Sequence, residues 1–116
     1  MPTIIHTKQL TGNTISTLFV WSGLANGDDG EAITFSNYAD RSVQVTGAFG
    51  VGGKVAIQGS NDGVNWNTLT GLTGHDLEFS TSGISMISEI SQYIRPVVTA
   101  GDGTTNVTIT ILAKGY

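Results

Sequence analysis

The sequence predicts an all-β fold, a two-sheet antiparallel β-sandwich, and three observations carry this reading. Ile, Val and Thr supply 36 of the 116 residues, and β-branched side chains, stiff at χ1, suit a pleated surface better than a helix. Clusters of Gly with Asn or Asp recur at short intervals, where they accept positive φ or bond their own backbone in turns. Between the clusters lie short runs in which apolar and polar residues alternate, the period of a half-buried strand.

The chain is long enough for one domain with one core. Residues 1–16 stand apart, because Ile4 and Ile5 are followed by mixed polar residues of neither period, ending in Thr11-Gly12-Asn13-Thr14. This segment reads either as an extended arm or as a first strand completing a sheet edge; residues 17–116 form the sandwich. Strands are expected at 17–21 and 31–35, separated by the loop Asn26-Gly27-Asp28-Asp29-Gly30. Val43, Val45 and Phe49 alternate with Gln44, Thr46 and Ala48, and Val55, Ile57 and Gly59 alternate with Ala56 and Gln58. With Gly50-Val51-Gly52-Gly53 between them, these two runs are expected to form a hairpin.

Further strands are expected at 64–69, 77–80 and 93–99, with Pro96 putting the last at an edge or bulge because proline cannot donate to a ladder. Ile84, Ile87, Ile90 and Ile94 fall near helical spacing, yet a run of Ile and Ser is a mediocre helix former, so 84–88 is read as a strand followed by a turn. In the final run Val107, Ile109 and Ile111 face one way and Thr108 and Thr110 the other, which predicts a central strand. Nine strands in one domain imply two packed sheets, with Val45, Phe49, Val55, Ile57, Trp66, Ile94, Val107, Ile109 and Ile111 turned into the core.

Charge narrows the function. Only 12% of residues are charged, against ~25% in an average soluble domain. The five basic residues never fall two within ten positions and the net charge is -4, so no basic track exists for phosphates and nucleic acid is not an expected partner. Without cysteine there is no disulfide, thiolate nucleophile or thiolate metal ligand. The N-terminus lacks a basic region followed by the roughly 7 to 15 apolar residues of a secretory signal, and no membrane partner is expected.

Catalytic and metal chemistry find little support. His75 beside Asp76 reads as an exposed loop histidine, since no local signature marks a nucleophile among the many Ser and Thr. Asp28, Asp29 and Glu31 gather in one turn but do not follow the order of a calcium loop. No enzyme, cofactor or metal is expected.

The most informative stretch is Ile57-Gln58-Gly59-Ser60-Asn61-Asp62-Gly63-Val64-Asn65-Trp66. A strand enters a tight turn at Asn61, Asp62 and Gly63 and leaves with Trp66 placed to pack back under it, which describes a structural hairpin. This stretch resembles the Gly-Ser-x-Asp-Gly-x-x-Trp hairpin of discoidin-like, galactose-binding jelly rolls, and Gln92-Tyr93-Ile94-Arg95 looks like a strand those domains carry downstream. A closer resemblance is to small β-sandwich proteins of tailed-phage structural gene clusters. It rests on four motifs in order: residues 45–49 (Val-Thr-Gly-x-Phe), 59–66 (Gly-Ser-Asn-Asp-Gly-x-Asn-Trp), 93–96 (Tyr-Ile-Arg-Pro) and 99–105 (Thr-x-Gly-Asp-Gly-Thr-Thr).

That resemblance implies a jelly-roll-like sandwich acting as a head decoration or cement protein. It implies binding to the major capsid protein on the outer surface of the virion head, after synthesis in the host cytoplasm. The chain would be a symmetric homo-oligomer, the trimer being favoured by the resemblance alone. Ile4 and Ile5 are the expected capsid or subunit contacts. The alternative is a carbohydrate-binding β-sandwich module, for which exposed aromatics such as Trp21, Tyr38 or Tyr116 should form a platform beside polar loop groups.

Overall fold

A computed structural model describes residues 3–10, 16–34, 38 and 40–115. The first strands are β1 (Thr3–Ile4), β2 (Thr7–Leu10), β3 (Ser16–Leu24), β4 (Asp29–Gly30), β5 (Ile33–Thr34) and β6 (Asp40–Ala48). They are followed by β7 (Lys54–Ser60), β8 (Asn67–Thr68), β9 (Glu78–Phe79), β10 (Gly83–Met86), β11 (Tyr93–Ala100) and β12 (Asn106–Lys114). The first sheet has the order β1-β4-β11-β7-β8, with β5 also on β11 and β9 also on β7; the second has the order β10-β6-β12-β3-β2. Pairing is antiparallel except between β1 and β4, which run parallel.

The alternation seen in the sequence explains how the sheets close on each other. Val107, Ile109 and Ile111 of β12 are fully buried, as are Val43 and Val45 of β6 and Trp21 of β3. From the first sheet they meet Val55, Ile57, Ile94 and Val98. The buried Trp21 indole keeps its N–H satisfied by the Glu31 carbonyl at 3.0 Å. β12 lies in the middle of its sheet, as its clean alternation predicts.

Five local expectations are corrected. Residues 43–49 and 55–59 do not form a hairpin: β6 and β7 belong to different sheets, and Gly50 to Gly53 carry the chain across the sandwich. Gly50 and Gly52 take φ of +72° and +69° there. Both strands have an inward apolar face, and such faces are buried equally well by stacking face to face, so alternation alone does not distinguish an arch from a hairpin.

Pro96 sits on an interior strand. Val98 donates to the Asp28 carbonyl at 2.8 Å, so position 96, two residues earlier, faces the same edge of β11, between the short partners β4 and β5. A residue without an N–H is tolerated at that break. The acidic loop ends in a strand, β4, and the run 64–69 is a strand only at Asn67–Thr68.

Phe49 is half-buried against the core, whereas Trp66 lies outside it. The strand expected at 84–88 is present as β10, which spans Gly83–Met86 and ends before Ile87. The N-terminal segment supplies edge strands to both sheets, β1 in the first and β2 in the second. The turn expected at 11–14 and Phe35 lie outside the described residues.

Candidate functional site

The turn after β7 is organised by one carboxylate. Asp62 Oδ1 accepts hydrogen bonds from the Val64 N–H (2.9 Å), the Asn65 N–H (2.8 Å) and the Ser60 hydroxyl (2.9 Å), while Oδ2 accepts from Asn65 Nδ2 (2.7 Å). The Asn65 and Val64 backbone donors come first in holding the Asp62 carboxyl far below its ordinary value. Gly63 takes φ +77°, and Asn61 Oδ1 accepts the Gln92 N–H at 2.9 Å. The chain then returns as β8, pairing Gln58 with Thr68 and Gly59 with Asn67. A second knot of this type closes the other end of the sandwich, where Asp102 accepts from the Thr104 hydroxyl (2.6 Å), the Val51 N–H (2.9 Å) and the Thr104 N–H (2.9 Å).

Beside the first turn opens a cleft of about 370 Å³, lined by Asn61, Asp62, Asn65, Asn67, Glu89 and Ile90 over Gly59 and Leu69. Glu89 accepts from the Thr70 N–H at 2.8 Å and from its hydroxyl at 2.5 Å. Burial opposes ionisation of Glu89, but the Thr70 hydrogen bonds and the nearby Arg41 charge together hold its carboxyl below the ordinary value. Arg41 is buried, which lowers its own pKa, and its Nη2 donates to the Glu89 carbonyl. The sequence carried a signal for this arginine, because Arg41 shares the inward phase of Val43 and Val45 on β6. Asn67 follows directly on the turn motif, but nothing in sequence spacing joins Glu89 to it; that side of the cleft comes from a segment that meets the turn only in the fold.

The expected contact residues part company. Ile4 packs against the core, while Ile5 is 74% exposed. They lie by β1, at the opposite edge of the first sheet from β8 and its turn, so the two predicted groups are not brought together. Next along the chain, His6 Nδ1 stands 2.6 Å from Glu31 Oε1, with its ring 5.6 Å from Phe19. The carboxylates of the acidic turn diverge: Asp28 accepts from the Ala25 N–H (2.9 Å), Asp29 from the Thr3 hydroxyl (3.0 Å), and Glu31 faces His6. His75 and Asp76 are both exposed.

An aromatic platform does not form from the described candidates. Trp21 is fully buried and Tyr38 is half-buried, edge-on to Phe19 at 5.9 Å; Tyr116 lies outside the described residues. Tyr38 borders a second cleft of about 360 Å³ with His6, Lys8 and Thr34.

The second sheet turns a nearly uncharged face to solvent. Its register aligns Met86, Ser42, Leu112 and Leu18 in one row and Ile84, Gln44, Thr110 and Val20 in the next. Ile84 is 68%, Leu112 42% and Met86 40% exposed. Charge enters only at the end of this face, where Lys114 stands opposite Asp40.

No family model matches the chain, and no curated protein is found similar to it in sequence. Among solved structures it is similar to the SPBc2 prophage-derived protein YomS, with a TM-score of 0.64 and 13% identity over 87% of this chain and 96% of that one. A weaker likeness, to protein NMB1881 from Neisseria meningitidis, has a TM-score of 0.46 and 8% identity over 94% of this chain and 83% of that one. At such an identity the likeness to the prophage protein is one of fold, over most of this chain and nearly all of that one.

Proposed function

We propose that this chain is a non-enzymatic virion structural protein that binds the outside of a phage head and stabilises contacts between major capsid subunits. The observation that carries the proposal is the outer face of the second sheet, where Ile84, Met86, Leu112, Leu18 and Val20 lie among Ser, Thr and Gln with charge only at one end. A protein seated on a shell must bury surface without stripping water from many charges, and this face meets that requirement. The prophage origin of a full-length structural neighbour and the order of the four sequence motifs favour a phage setting. A symmetric oligomer would multiply the contacts each copy makes to a repeating lattice.

Ile5, exposed beside β1, is the remaining N-terminal contact, since Ile4 is used by the domain's own core. The test is co-sedimentation with undecorated heads, and resistance of those heads to heat, for the unmodified chain and for Leu112→Asp, Ile84→Asp and Ile5→Ser. All three substitutions lie at exposed positions. A charge buried without a partner at the contact should weaken head binding by tenfold or more at Leu112 or Ile84, about 1.4 kcal/mol or more. Unchanged occupancy for every folded variant, or no binding by the unmodified chain, overturns the reading.

A further inference from the structure

We propose that the cleft of about 360 Å³ lined by His6, Lys8, Thr34 and Tyr38 is a binding site for a carboxylate carried on a short apolar stem. The cleft opens between the two sheets: edge strand β2 of the second supplies Lys8, and β5 of the first supplies Ile33 and Thr34. Phe19 and Ile33, which also line it, are buried in the shared core, whereas Lys8 and Thr34 are exposed. A guest therefore meets apolar surface at the base of the cleft and polar groups at its mouth.

Those polar groups are donors. Lys8 stands opposite Phe19 in the β2–β3 register, and its Nζ lies 6.0 Å from the centre of the Phe19 ring. It has no carboxylate partner among the described residues, whereas Arg95 faces Asp29 and Arg41 donates to the Glu89 carbonyl. The Thr34 hydroxyl makes no hydrogen bond among the described residues, and His6, with Nδ1 turned to Glu31, keeps Nε2. No Asp or Glu is among the described lining. An inward-pointing lysine on an edge strand also discourages strand addition, but that task needs no donor-lined cavity beneath the ammonium.

An ammonium and a hydroxyl side by side match the two oxygens of a carboxylate, one through a charge-assisted hydrogen bond. Phosphate brings more charge and more hydrated oxygens than these groups can satisfy, and the Phe19 and Ile33 base offers such oxygens nothing. An apolar stem, by contrast, rests on the Phe19 ring, which His6 at 5.6 Å and Tyr38 at 5.9 Å hold in place. The same chemistry is presented by a glutamate side chain of a partner protein and by a small free acid. Lys8 and Phe19 take the inward phase of their strands, away from the outer face that carries Leu18 and Val20. The site therefore stands or falls apart from shell binding by that face.

The experiment is an amide NMR titration of the isotope-labelled full chain at constant ionic strength. The probes are N-acetylglutamate α-methylamide, its neutral glutamine counterpart, benzoate and inorganic phosphate, each up to about 50 mM, a range that reaches millimolar dissociation constants. At least one of the two carboxylates should give saturable shifts confined to residues 6–8, 17–20, 32–34 and 38. Binding of the capped glutamate assigns the site to an acidic side chain of a partner, and binding of benzoate alone assigns it to a free acid; both uphold a carboxylate site. Lys8→Gln and Thr34→Val, both at exposed positions, should keep the melting temperature and weaken binding about five- to tenfold and about threefold. Absence of saturable shifts with both carboxylates overturns the proposal, as do shifts centred elsewhere, equal affinity for the glutamine counterpart, tighter binding of phosphate, or affinity unchanged in both variants.

Discussion

The guanidinium of Arg95 lies 4.1 Å from the centre of the Trp66 ring, while its Nε donates to Gln58 at 3.1 Å and its Nη1 stands 3.7 Å from Asp29. The tryptophan that ends the turn motif is therefore a cover over a charged group on β11, outside the shared core. An indole held by a cation–π contact at a half-exposed site contributes about 1 kcal/mol through that contact, far less than a buried one.

Trp66→Ala should accordingly cost about 1–2 kcal/mol, and Trp21→Ala, at a fully buried position, about 3–5 kcal/mol. Urea unfolding of the two variants compares them directly. Equal losses would mean that Trp66 belongs to the core after all.

Gly30 is predicted to reject any side chain. A Cβ there would stand 2.6 Å from the Pro96 ring and 2.8 Å from Trp21 Cδ1, and neither ring can swing away. Gly30→Ala should destabilise by about 1–3 kcal/mol, whereas Gly103→Ala, which meets nothing within 4 Å, should stay within about 0.5 kcal/mol of the parent.

The Asp62 turn is expected to serve folding first. Gly63→Val forces a β-branched residue to φ +77° and should cost about 2 kcal/mol. Asp62→Ala strands the Val64 and Asn65 donors and should lower the urea midpoint in the same direction. Unchanged midpoints in both variants would assign the turn another role.

Acid should loosen the opposite end of the sandwich. Asp102 is held at about 2, first by the Thr104 hydroxyl and then by the Val51 and Thr104 N–H groups, against ~3.9 in an unfolded chain. A depressed folded value means the stabilisation is complete above pH ~4 and is lost as pH falls towards ~2. The melting temperature of the parent should thus exceed that of Asp102→Asn above pH ~4, with the gap closing towards pH ~2. A gap that does not change with pH would exclude the carboxylate as its source.

Deletion of residues 1–16 should weaken the domain as well as remove a contact. Ile4 packs on the core, its carbonyl accepts the Glu31 N–H at 2.7 Å, and His6 covers Phe19. A loss of about 2 kcal/mol, several degrees in melting temperature, is expected in a thermal scan. Ile5→Ser, by contrast, should melt with the parent.

Strand type and facing were legible in the sequence because they depend on neighbours two residues apart. The alternation of Val107, Ile109 and Ile111 announced a half-buried central strand, and Val43, Val45, Val55 and Ile57 announced their inward faces. The Asn61-Asp62-Gly63 turn was legible for the same local reason, since two short side chains, Ser60 and Asp62, accept its backbone N–H groups within a few residues. Which strands pair was decided only in three dimensions. Hydrogen-bonding edges carry no side-chain pattern, so the step from Ala48 to Lys54 reads alike as a hairpin or as a crossover between sheets, and Pro96 became acceptable inside a sheet only through the break between β4 and β5. The cleft followed from the same cause: Glu89 is separated along the chain from Asn61 and Asn67 by β9 and β10, and only the fold brings the two segments together.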